Sequence, residues 1–444
     1  MTPEQSPEPV ELPARRASAL GQTIVVGCLA FCGSGLFNAL SGLGKAGSPS
    51  VVVGALAQGA LYFTLAISSF FSGAVFNVAG PAPMFFVGGC AYAVYSMCVY
   101  FSAQHVWLSP VGGFVLGIGA ALFWTAQGAL IMAYSTSESR GRLIGIFWAI
   151  FNFGGVLGGL MEAALNWTSE QNDGANPLSY FVMTGIMLLG PVLTVLLLAK
   201  PENVIRADGS PVVLTAAGTP KDELRAAVAA LRYPFVLLSL PFFFFSNWFY
   251  TYDFDGFNSA QFNVRTRGLN SALFWLAQML AASILGDRLD SKAPLKRRAT
   301  LGLFAVVASL VVSLGPAIWI NFYIECHGHT GWQHGWDKDA ECKMDVVTDF
   351  PTSLFPVLVF ILLGSADAMF QTYAYWLMSS AAGTSVRHAV MYSAIYKSAQ
   401  SCGAGVAWLL DLIGGFTYKD QGILAISLCC ASCIPVLWTF SKLP

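Results

Sequence analysis

Twelve long apolar runs, separated by polar connections, make up the hydrophobic pattern of this chain. A helix that crosses a lipid bilayer needs about 20 mostly apolar residues, and each run is near that length. The runs cover residues 20–43, 50–76, 83–101, 109–133, 143–165, 178–199, 235–252, 268–286, 300–321, 351–379, 389–411 and 422–441. The pattern therefore predicts an all-α polytopic membrane protein with twelve transmembrane helices. Polar residues crowd the connection between the seventh and eighth runs, so those two runs are the least distinct.

A polar stretch divides the runs into two groups of six. Residues 200–232 separate the sixth run from the seventh, which predicts an N-terminal six-helix half over 19–199 and a C-terminal half over 233–444. The end of this stretch, KDELRAAVAALR, has helical spacing and predicts a helix that lies along the membrane surface. Residues 1–18 are polar and rich in Pro and Glu, which predicts a disordered tail.

Composition supports a membrane protein. The chain is 55% hydrophobic and 11% charged, whereas soluble domains carry about 25% charged residues. Its net charge of −1 gives no indication of nucleic-acid binding. With the N-terminus inside, the inner loops and tails carry 16 Lys and Arg residues and the outer loops carry six. Positive charge collects on the cytoplasmic side of membrane proteins, so both termini and the central loop 200–232 are predicted to be cytoplasmic. The sequence does not indicate which membrane holds the chain.

Two short segments suggest an internal repeat. The second run ends in GAVFN (73–77) and the eighth in GDRLD (286–290), so both read G-x-x-x-[Asn/Asp]. The second copy is followed by the basic triplet KRR at 296–298. A repeat of this size predicts two six-helix halves in the same orientation, related by pseudo-symmetry.

This organisation resembles the major facilitator superfamily, whose signature loop is G-x-x-x-D followed by basic residues. The first copy departs from that loop, because Asn77 replaces the acid and no basic residue follows before Phe85. Four blocks further resemble the uncoordinated protein 93 family, a branch of that superfamily, in a fungal-type member. They are GLFNALSGLG (35–44), AQGALIMAYSTSESRGRLIGIFWAIFNFGGVLGG (126–159), SNWFYTYDFDGFNSAQFNVRTRGLN (246–270), and DAMFQTYAYWLM with YKSAQSCGAGVAWLLD (367–378, 396–411). The resemblance implies the major facilitator fold. It leaves function open, since the family includes suspected transporters, potassium-channel regulators and receptor escorts.

Two ionisable residues lie inside apolar runs. Asp367 is in the tenth run and Lys397 in the eleventh, roughly 18 Å and 12 Å from their inner ends at about 1.5 Å per residue. A charge at bilayer depth costs about 2.5–3.5 kcal/mol on insertion scales. We therefore expect these two residues to face each other or to share one polar pocket with Gln371 and Gln400. Two interpretations remain open: a static buried ion pair, or a pair that responds to substrate or protons.

Other candidate substrate-binding residues lie on runs that the resemblance places around a central cavity, namely the first, fourth, seventh and tenth. Amides offer donors and acceptors, and aromatic rings offer flat apolar walls, so together they suit a small amphipathic solute. The alternative is that such residues only bridge helices. The candidates are Asn38, Trp124, Gln127, Asn247 and Tyr250. Asn152, Asn270 and Gln278 could extend the same surface.

The fifth run contains FNFGGVLGG (151–159), with two overlapping G-x-x-x-G patterns, Gly154/Gly158 and Gly155/Gly159. Such patterns allow helices to approach closely. We expect the partner to be another helix of the same chain, with homodimerisation as the alternative.

The predicted outer loops contain two further candidates. Cys326 and Cys342 lie in a His-rich loop over 322–350, where a disulfide is chemically allowed. The spacing of the Cys and His residues matches no common zinc pattern, so no metal or other cofactor is predicted. The sequon NWT makes Asn166 a glycosylation candidate.

The chain contains no G-x-S-x-G, H-E-x-x-H or G-x-x-x-x-G-K-[ST] motif, so it is not predicted to be an enzyme or an ATP-driven pump. We interpret it as a secondary transporter of a small molecule or ion by alternating access in a lipid bilayer. Proton coupling through Asp367 is left open. The alternative is a non-transporting regulatory or escort subunit that binds a channel or receptor in the membrane.

Overall fold

The structure is a computed structural model that describes residues 17–48, 50–136, 139–168, 176–212, 220–323, 343–383, 386–413 and 417–440. Its helices follow the predicted runs closely and are numbered here as spans. They are span 1 (Ala19–Gly42), span 2 (Val51–Ala79), span 3 (Pro81–Phe101), span 4 (Leu108–Tyr134), span 5 (Arg140–Leu165), span 6 (Pro177–Leu197), span 7 (Pro234–Phe245 continuing to Tyr252–Ser259), span 8 (Val264–Leu289), span 9 (Leu295–Tyr323), span 10 (Leu354–Ala382), span 11 (Val386–Leu410) and span 12 (Tyr418–Thr439).

Length and composition support a multi-pass membrane protein. Within the described residues, ten helices are long and apolar enough to cross a bilayer. Spans 7 and 11 are the two predicted spans outside these ten. Span 7 begins as a shorter apolar helix, and span 11 carries Lys397, Gln400 and Ser401 in its middle. The all-α fold predicted from the apolar runs is confirmed.

Helix packing repeats between the two groups of six. In the first half, span 1 packs on span 5, span 2 on span 4, and span 3 on spans 4 and 6. The second half has the equivalent pairs: span 7 packs on span 11, span 8 on span 10, and span 9 on spans 10 and 12. Two contacts related by the same pseudo-symmetry join the two halves: span 2 packs on span 11, and span 5 packs on span 8. The molecule therefore consists of two pseudo-symmetric halves, and spans 2, 5, 8 and 11 make the most extensive contacts between them. The predicted boundaries of the halves at 199 and 233 stay predictions.

Two of the described helices contain π-helical segments. Span 1 contains a π-helical turn over Phe31–Gly35, and span 7 passes through turns after Phe245 into a π-helix over Tyr252–Ser259. At the break in span 7, the Ser246 hydroxyl donates to the carbonyl oxygen of Phe243 at 2.8 Å, and Ser side chains that bond to the preceding turn weaken regular helix. π-Helical segments occur frequently at functional sites because they reposition side chains.

The glycines of span 5 lie on two faces that contact different helices. A Cβ atom at Gly154 would lie 2.7 Å from the carbonyl oxygen of Phe31 in span 1, and one at Gly159 would lie 2.6 Å from the backbone nitrogen of Ala272 in span 8. Real side chains do not approach backbone atoms this closely, so only glycine fits at both faces. The G-x-x-x-G patterns thus pack two helices of the same chain against span 5, as predicted.

The connection between the halves has structure of its own. Val204–Ile205 pairs in parallel with Ala17–Ser18, just before span 1. Pro220–Ala230 is helical, which confirms the helix predicted from its spacing, and this helix packs against span 2. Its position along a membrane surface stays a prediction. Residues 17 and 18 of the predicted tail are ordered by this pairing.

The halves touch at the end of the bundle that is predicted to face outside. There the connection between spans 1 and 2 meets the π-helix of span 7. The backbone nitrogen of Lys45 donates to Asp255 Oδ1 at 2.5 Å, and Asn258 Nδ2 donates to the carbonyl oxygen of Gly42 at 2.7 Å. These hydrogen bonds join span 1 and the connection after it to span 7 at this end of the molecule.

A second contact joins the halves at the same end. Arg265, at the start of span 8, donates through Nη1 to the carbonyl oxygen of Trp167 at 2.8 Å. Its Nε donates to Asp345 Oδ1 at 2.9 Å, and its Nη2 also contacts that carboxylate. A guanidinium can make several such bonds in one plane, so Arg265 links the end of span 5 to the loop before span 10.

Replacing Asn258 with alanine is expected to lower the thermal unfolding midpoint. Asn258 is fully buried and also accepts a hydrogen bond from Asn270 Nδ2 at 3.0 Å, so its loss leaves buried polar groups without partners. Each such group costs about 1–3 kcal/mol. Asn203→Ala, at a half-buried position after span 6, is the matched control. An unchanged midpoint in Asn258→Ala would show that this contact does not hold the halves together.

Candidate functional site

A polar cavity lies between the two halves near the middle of the spans. The cavity has a volume of about 70 Å³, which is enough for several waters at about 10–15 Å³ each. Its walls come from spans 1 to 5 on one side and spans 7, 8, 10 and 11 on the other. The lining residues are Ser34, Phe37, Asn38, Leu61, Tyr62, Leu65, Tyr92, Leu116, Ala120, Trp124, Trp148, Phe151, Asn247, Tyr250, Trp275, Gln278, Gln371, Lys397, Gln400 and Ser401.

Asp367 is fully buried directly behind this wall. Its Oδ1 accepts a hydrogen bond from Gln371 Nε2 at 2.7 Å. Its Oδ2 accepts from the Tyr250 hydroxyl at 2.9 Å and from Gln278 Nε2. These three donors belong to spans 10, 7 and 8, so the carboxylate joins three helices of the second half. Three hydrogen bonds stabilise an anion that would otherwise be costly to bury.

Lys397 faces the cavity from span 11 and is 7% exposed. Its Nζ donates to Gln400 Oε1, one turn along the same helix, at 2.8 Å. Three aromatic rings surround the ammonium: the distances from Nζ to the ring centroids are 4.9 Å for Trp124, 5.3 Å for Tyr396 and 5.6 Å for Tyr375. The negative faces of aromatic rings attract cations at such distances. Span 4 of the first half thereby contacts the charge carried by span 11 of the second.

The two charges share one polar network without touching. In the described part of the chain, the ion pairs within 4 Å do not include Asp367 with Lys397. Gln371 and Gln400 stand between them, and Gln400 Nε2 approaches Gln371 Oε1 at 3.5 Å. The prediction of a shared pocket agrees with this geometry, whereas a direct ion pair does not form. The position of Asp367 and Lys397 along their helices gives the depth of each residue in the bundle. The rotation of each helix about its own axis determines whether the two side chains meet.

Gln400 is the centre of this network. Its Nε2 lies within hydrogen-bonding distance of Asn247 Oδ1 at 2.9 Å, the Ser246 hydroxyl at 3.0 Å and the Tyr396 hydroxyl at 2.8 Å. An amide nitrogen has two hydrogens, so these acceptors share them. Ser246 and Asn247 lie at the break in span 7, so this irregular segment contacts span 11 through Gln400.

Most of the predicted site residues meet at the cavity. Asn38, Trp124, Asn247, Tyr250, Gln278, Gln371, Lys397 and Gln400 line it, and Asp367 lies behind them. Three predicted residues, Gln127, Asn152 and Asn270, are buried but lie outside the lining. The sequence-based list omitted Tyr62, Tyr92, Trp148 and Trp275. These four lie on spans 2, 3, 5 and 8, which are outside the set that the family resemblance placed around the cavity.

The two outer-loop candidates have different outcomes. Cys326 and Cys342 lie outside the described residues, so the disulfide stays a prediction. Asn166 is buried, and its Nδ2 donates to the carbonyl oxygen of Glu162 at 2.9 Å and to Glu162 Oε2 at 3.0 Å. A glycan would attach to this same nitrogen, so this geometry disfavours glycosylation, which also stays a prediction.

Comparison of folds shows a likeness to a known transporter architecture. The xylose transporter XylE from E. coli, in a partially occluded inward-open conformation, superposes with a TM-score of 0.62 over 96% of this chain and 97% of that one. The two sequences are 13% identical over this match. The likeness shows the major facilitator fold that the paired halves and the G-x-x-x-[Asn/Asp] repeat predicted.

Comparison of sequences identifies the family. Residues 50–286 match the family described as ion channel regulatory protein UNC-93. An UNC93-like protein of Schizosaccharomyces pombe is 36% identical over 439 residues, covering 96% of this chain and 83% of its own length. UNC93-like protein 1 of Arabidopsis thaliana is 33% identical over 396 residues, covering 89% of this chain and 84% of its own length. The chain therefore belongs to the UNC-93 family, a branch of the major facilitator fold.

Proposed function

We propose that this protein is a secondary transporter that moves a small solute across a membrane by alternating access. The observation that carries the proposal is the central cavity, to which both halves contribute polar side chains near mid-span. Transporters of this architecture bind cargo at the interface of their repeats, and the repeats rock around that site. No catalytic role is proposed for the residues of the cavity.

Asp367 is the proposed coupling residue. Proton coupling needs an ionisable group, often a carboxyl, whose protonation changes contacts at the cargo site. Asp367 meets this requirement through Tyr250 and Gln371, which both bond to the carboxylate and line the cavity. Protonation of Asp367 would weaken these bonds and allow spans 7, 8 and 10 to shift relative to one another.

A second function is supported by a different observation. The matched family is described as an ion channel regulatory protein, and the central cavity is small in this conformation. A regulatory or escort subunit would bind its membrane partner through lipid-facing helix surfaces and would not need a cavity that opens to both sides. The two functions therefore differ in whether cavity residues become accessible from both sides of the membrane.

Thiol labelling of Ser401→Cys distinguishes these functions. Ser401 lines the cavity. In a variant whose ten native cysteines are replaced by serine or alanine, a membrane-impermeant thiol reagent is applied to right-side-out and to inside-out vesicles. We expect the thiol introduced by Ser401→Cys to be labelled from both sides, because alternating access opens the cavity to each side in turn.

The matched control is Ser432→Cys in the same variant. Ser432 is also buried, but it lies in span 12, away from the cavity, and its hydroxyl bonds to its own helix at 2.7 Å. The thiol introduced there should be labelled from neither side. Labelling of Ser401→Cys from one side only, or from neither, would rule out alternating access and favour the regulatory function.

A further inference from the structure

Lys397 carries the formal charge on the wall of the central cavity. Among the described residues that line the cavity, the others are amides, hydroxyls, indoles and apolar side chains. Asp367 is excluded from the wall, because Tyr250, Gln278 and Gln371 lie around its carboxylate. A solute in the cavity therefore meets an ammonium group and does not meet the carboxylate directly.

The surroundings of the Lys397 ammonium leave room for an anionic partner. An ammonium has three N–H donors, and within the described residues it makes one hydrogen bond, to Gln400. The rings of Trp124, Tyr375 and Tyr396 attract the positive charge, but ring faces stabilise a cation less than a carboxylate does in a site of low polarity. A buried ammonium without a charged contact gains most from an anion.

The other lining residues suit a carboxylate that is joined to a short apolar group. Asn38, Asn247 and Gln371 contribute amides at the cavity wall, and amide N–H groups can donate to carboxylate oxygens. Trp124 and Trp148 provide apolar ring surface on the facing half. By contrast, a cationic solute would lie beside Lys397, and both oxygens of Asp367 already accept hydrogen bonds.

We propose that the cargo of this cavity is a small organic anion whose carboxylate binds Lys397. This inference rests on the proposed transport function and adds its substrate class. Lys397 supplies the charge that selects the anion, the amides orient the carboxylate, and the aromatic walls contact the apolar part of the solute. Span 4 and span 11 both contact the Lys397 charge, so binding there would involve both halves.

The test uses three probes of nearly equal size that differ in charge: propionate, propionamide and n-propylammonium. Each is titrated into the purified full-length protein in detergent, and the thermal unfolding midpoint and tryptophan fluorescence are followed. Trp124 lies 4.9 Å from the Lys397 ammonium, so an anion bound there should change its emission. We expect propionate to give a saturable shift and to bind at least tenfold more tightly than either other probe.

Two variants locate the bound anion. Lys397→Gln should abolish the response to propionate, whereas Lys296→Gln, at an exposed position near the start of span 9, should leave it unchanged. The selectivity among the three probes is measured on the unmodified protein, so the test stands even where Lys397→Gln fails to fold. The proposal would be overturned by equal responses to propionate and propionamide, by a preference for n-propylammonium, or by no response to any probe. A full response to propionate in Lys397→Gln would also overturn it.

The labelling experiment separates this proposal from the transport function. Propionate should protect the thiol of Ser401→Cys from the reagent, because Ser401 and Lys397 line the same cavity. Labelling of this variant from both sides without any response to propionate would reject the anionic cargo and leave transport standing. Labelling from one side only would reject transport, whichever probe binds.

Discussion

Replacing Asp367 with alanine should cause the largest loss of stability among single changes in the cavity network. The carboxylate accepts hydrogen bonds from Tyr250, Gln278 and Gln371, which belong to three different spans. Alanine would leave the Tyr250 hydroxyl and Gln278 Nε2 without this acceptor in a fully buried site, while Gln371 Nε2 keeps the Tyr250 hydroxyl as an acceptor at 3.1 Å. Each unsatisfied buried polar group costs about 1–3 kcal/mol, so the two together cost at least about 2 kcal/mol. The yield of monodisperse protein and its thermal unfolding midpoint measure this loss.

Asp367→Asn separates the structural role of this residue from a role in transport. Asparagine has the same shape and keeps one acceptor oxygen, so it should fold far better than Asp367→Ala. It cannot exchange a proton near neutral pH, so proton-coupled transport should be lost. If Asp367→Asn is expressed as well as the unmodified protein and is fully active in proton-driven uptake, Asp367 is not the coupling residue.

The double variant Asp367→Asn with Lys397→Met tests whether the two charges act as a pair. In a simple buried ion pair, removing both charges restores much of what removing one destroys. Here Gln371 and Gln400 lie between the two charged groups, so we expect the double variant to be no more active than Asp367→Asn. Recovery of activity in the double variant would show a direct structural pair in another conformation.

Replacing Gly159 with leucine should give the second largest effect, because it forces span 5 away from span 8. Even a Cβ atom there would lie 2.6 Å from the backbone nitrogen of Ala272 and 2.9 Å from the carbonyl oxygen of Gly268. Backbone atoms cannot rotate aside as a side chain can, so the two helices must separate. Overpacking costs about 1–3 kcal/mol and occasionally more. Because this contact joins the two halves, both the unfolding midpoint and any transport rate should fall.

Gly145 provides the control on the same helix. A Cβ atom there meets no other atom within 4 Å, so Gly145→Leu should leave the fold intact. In a helix interior, leucine is favoured over glycine by up to about 1 kcal/mol, which adds to the contrast. Equal stability of Gly159→Leu and Gly145→Leu would show that the close approach of spans 5 and 8 does not hold the halves together.

Several features of the fold were predictable from the sequence because a bilayer limits what a chain can do. Backbone polar groups must be satisfied within each span, so apolar runs of sufficient length imply helices. The repeated G-x-x-x-[Asn/Asp] ends indicated two halves, and the mirrored packing of the spans agrees with them. The glycines at 154–159 indicated a close helix contact, since only glycine permits backbones to approach so nearly.

The sequence also indicated which polar residues belong to one site, because burying them in lipid is costly. It did not indicate how they are partnered. Asp367 and Lys397 lie at similar depths, yet the rotation of spans 10 and 11 directs the carboxylate towards Tyr250 and the ammonium towards Trp124. Rotation about a helix axis depends on packing against all neighbouring helices, which no single run of residues encodes.

Only the tertiary structure decided that Lys397 faces the cavity and that Asp367 lies behind the wall. The break in span 7 is a further case: the run 235–252 predicts one continuous helix, but turns after Phe245 bring Ser246 and Asn247 to Gln400. Local propensity weakly opposes a helix at such a segment, and the hydrogen bonds to Gln400 join it to a span that is distant in sequence. Of the three rings around Lys397, Trp124 was a predicted site residue, but Tyr375 and Tyr396 were not. Aromatic residues in apolar runs serve equally well as helix packing until their neighbours in space are known.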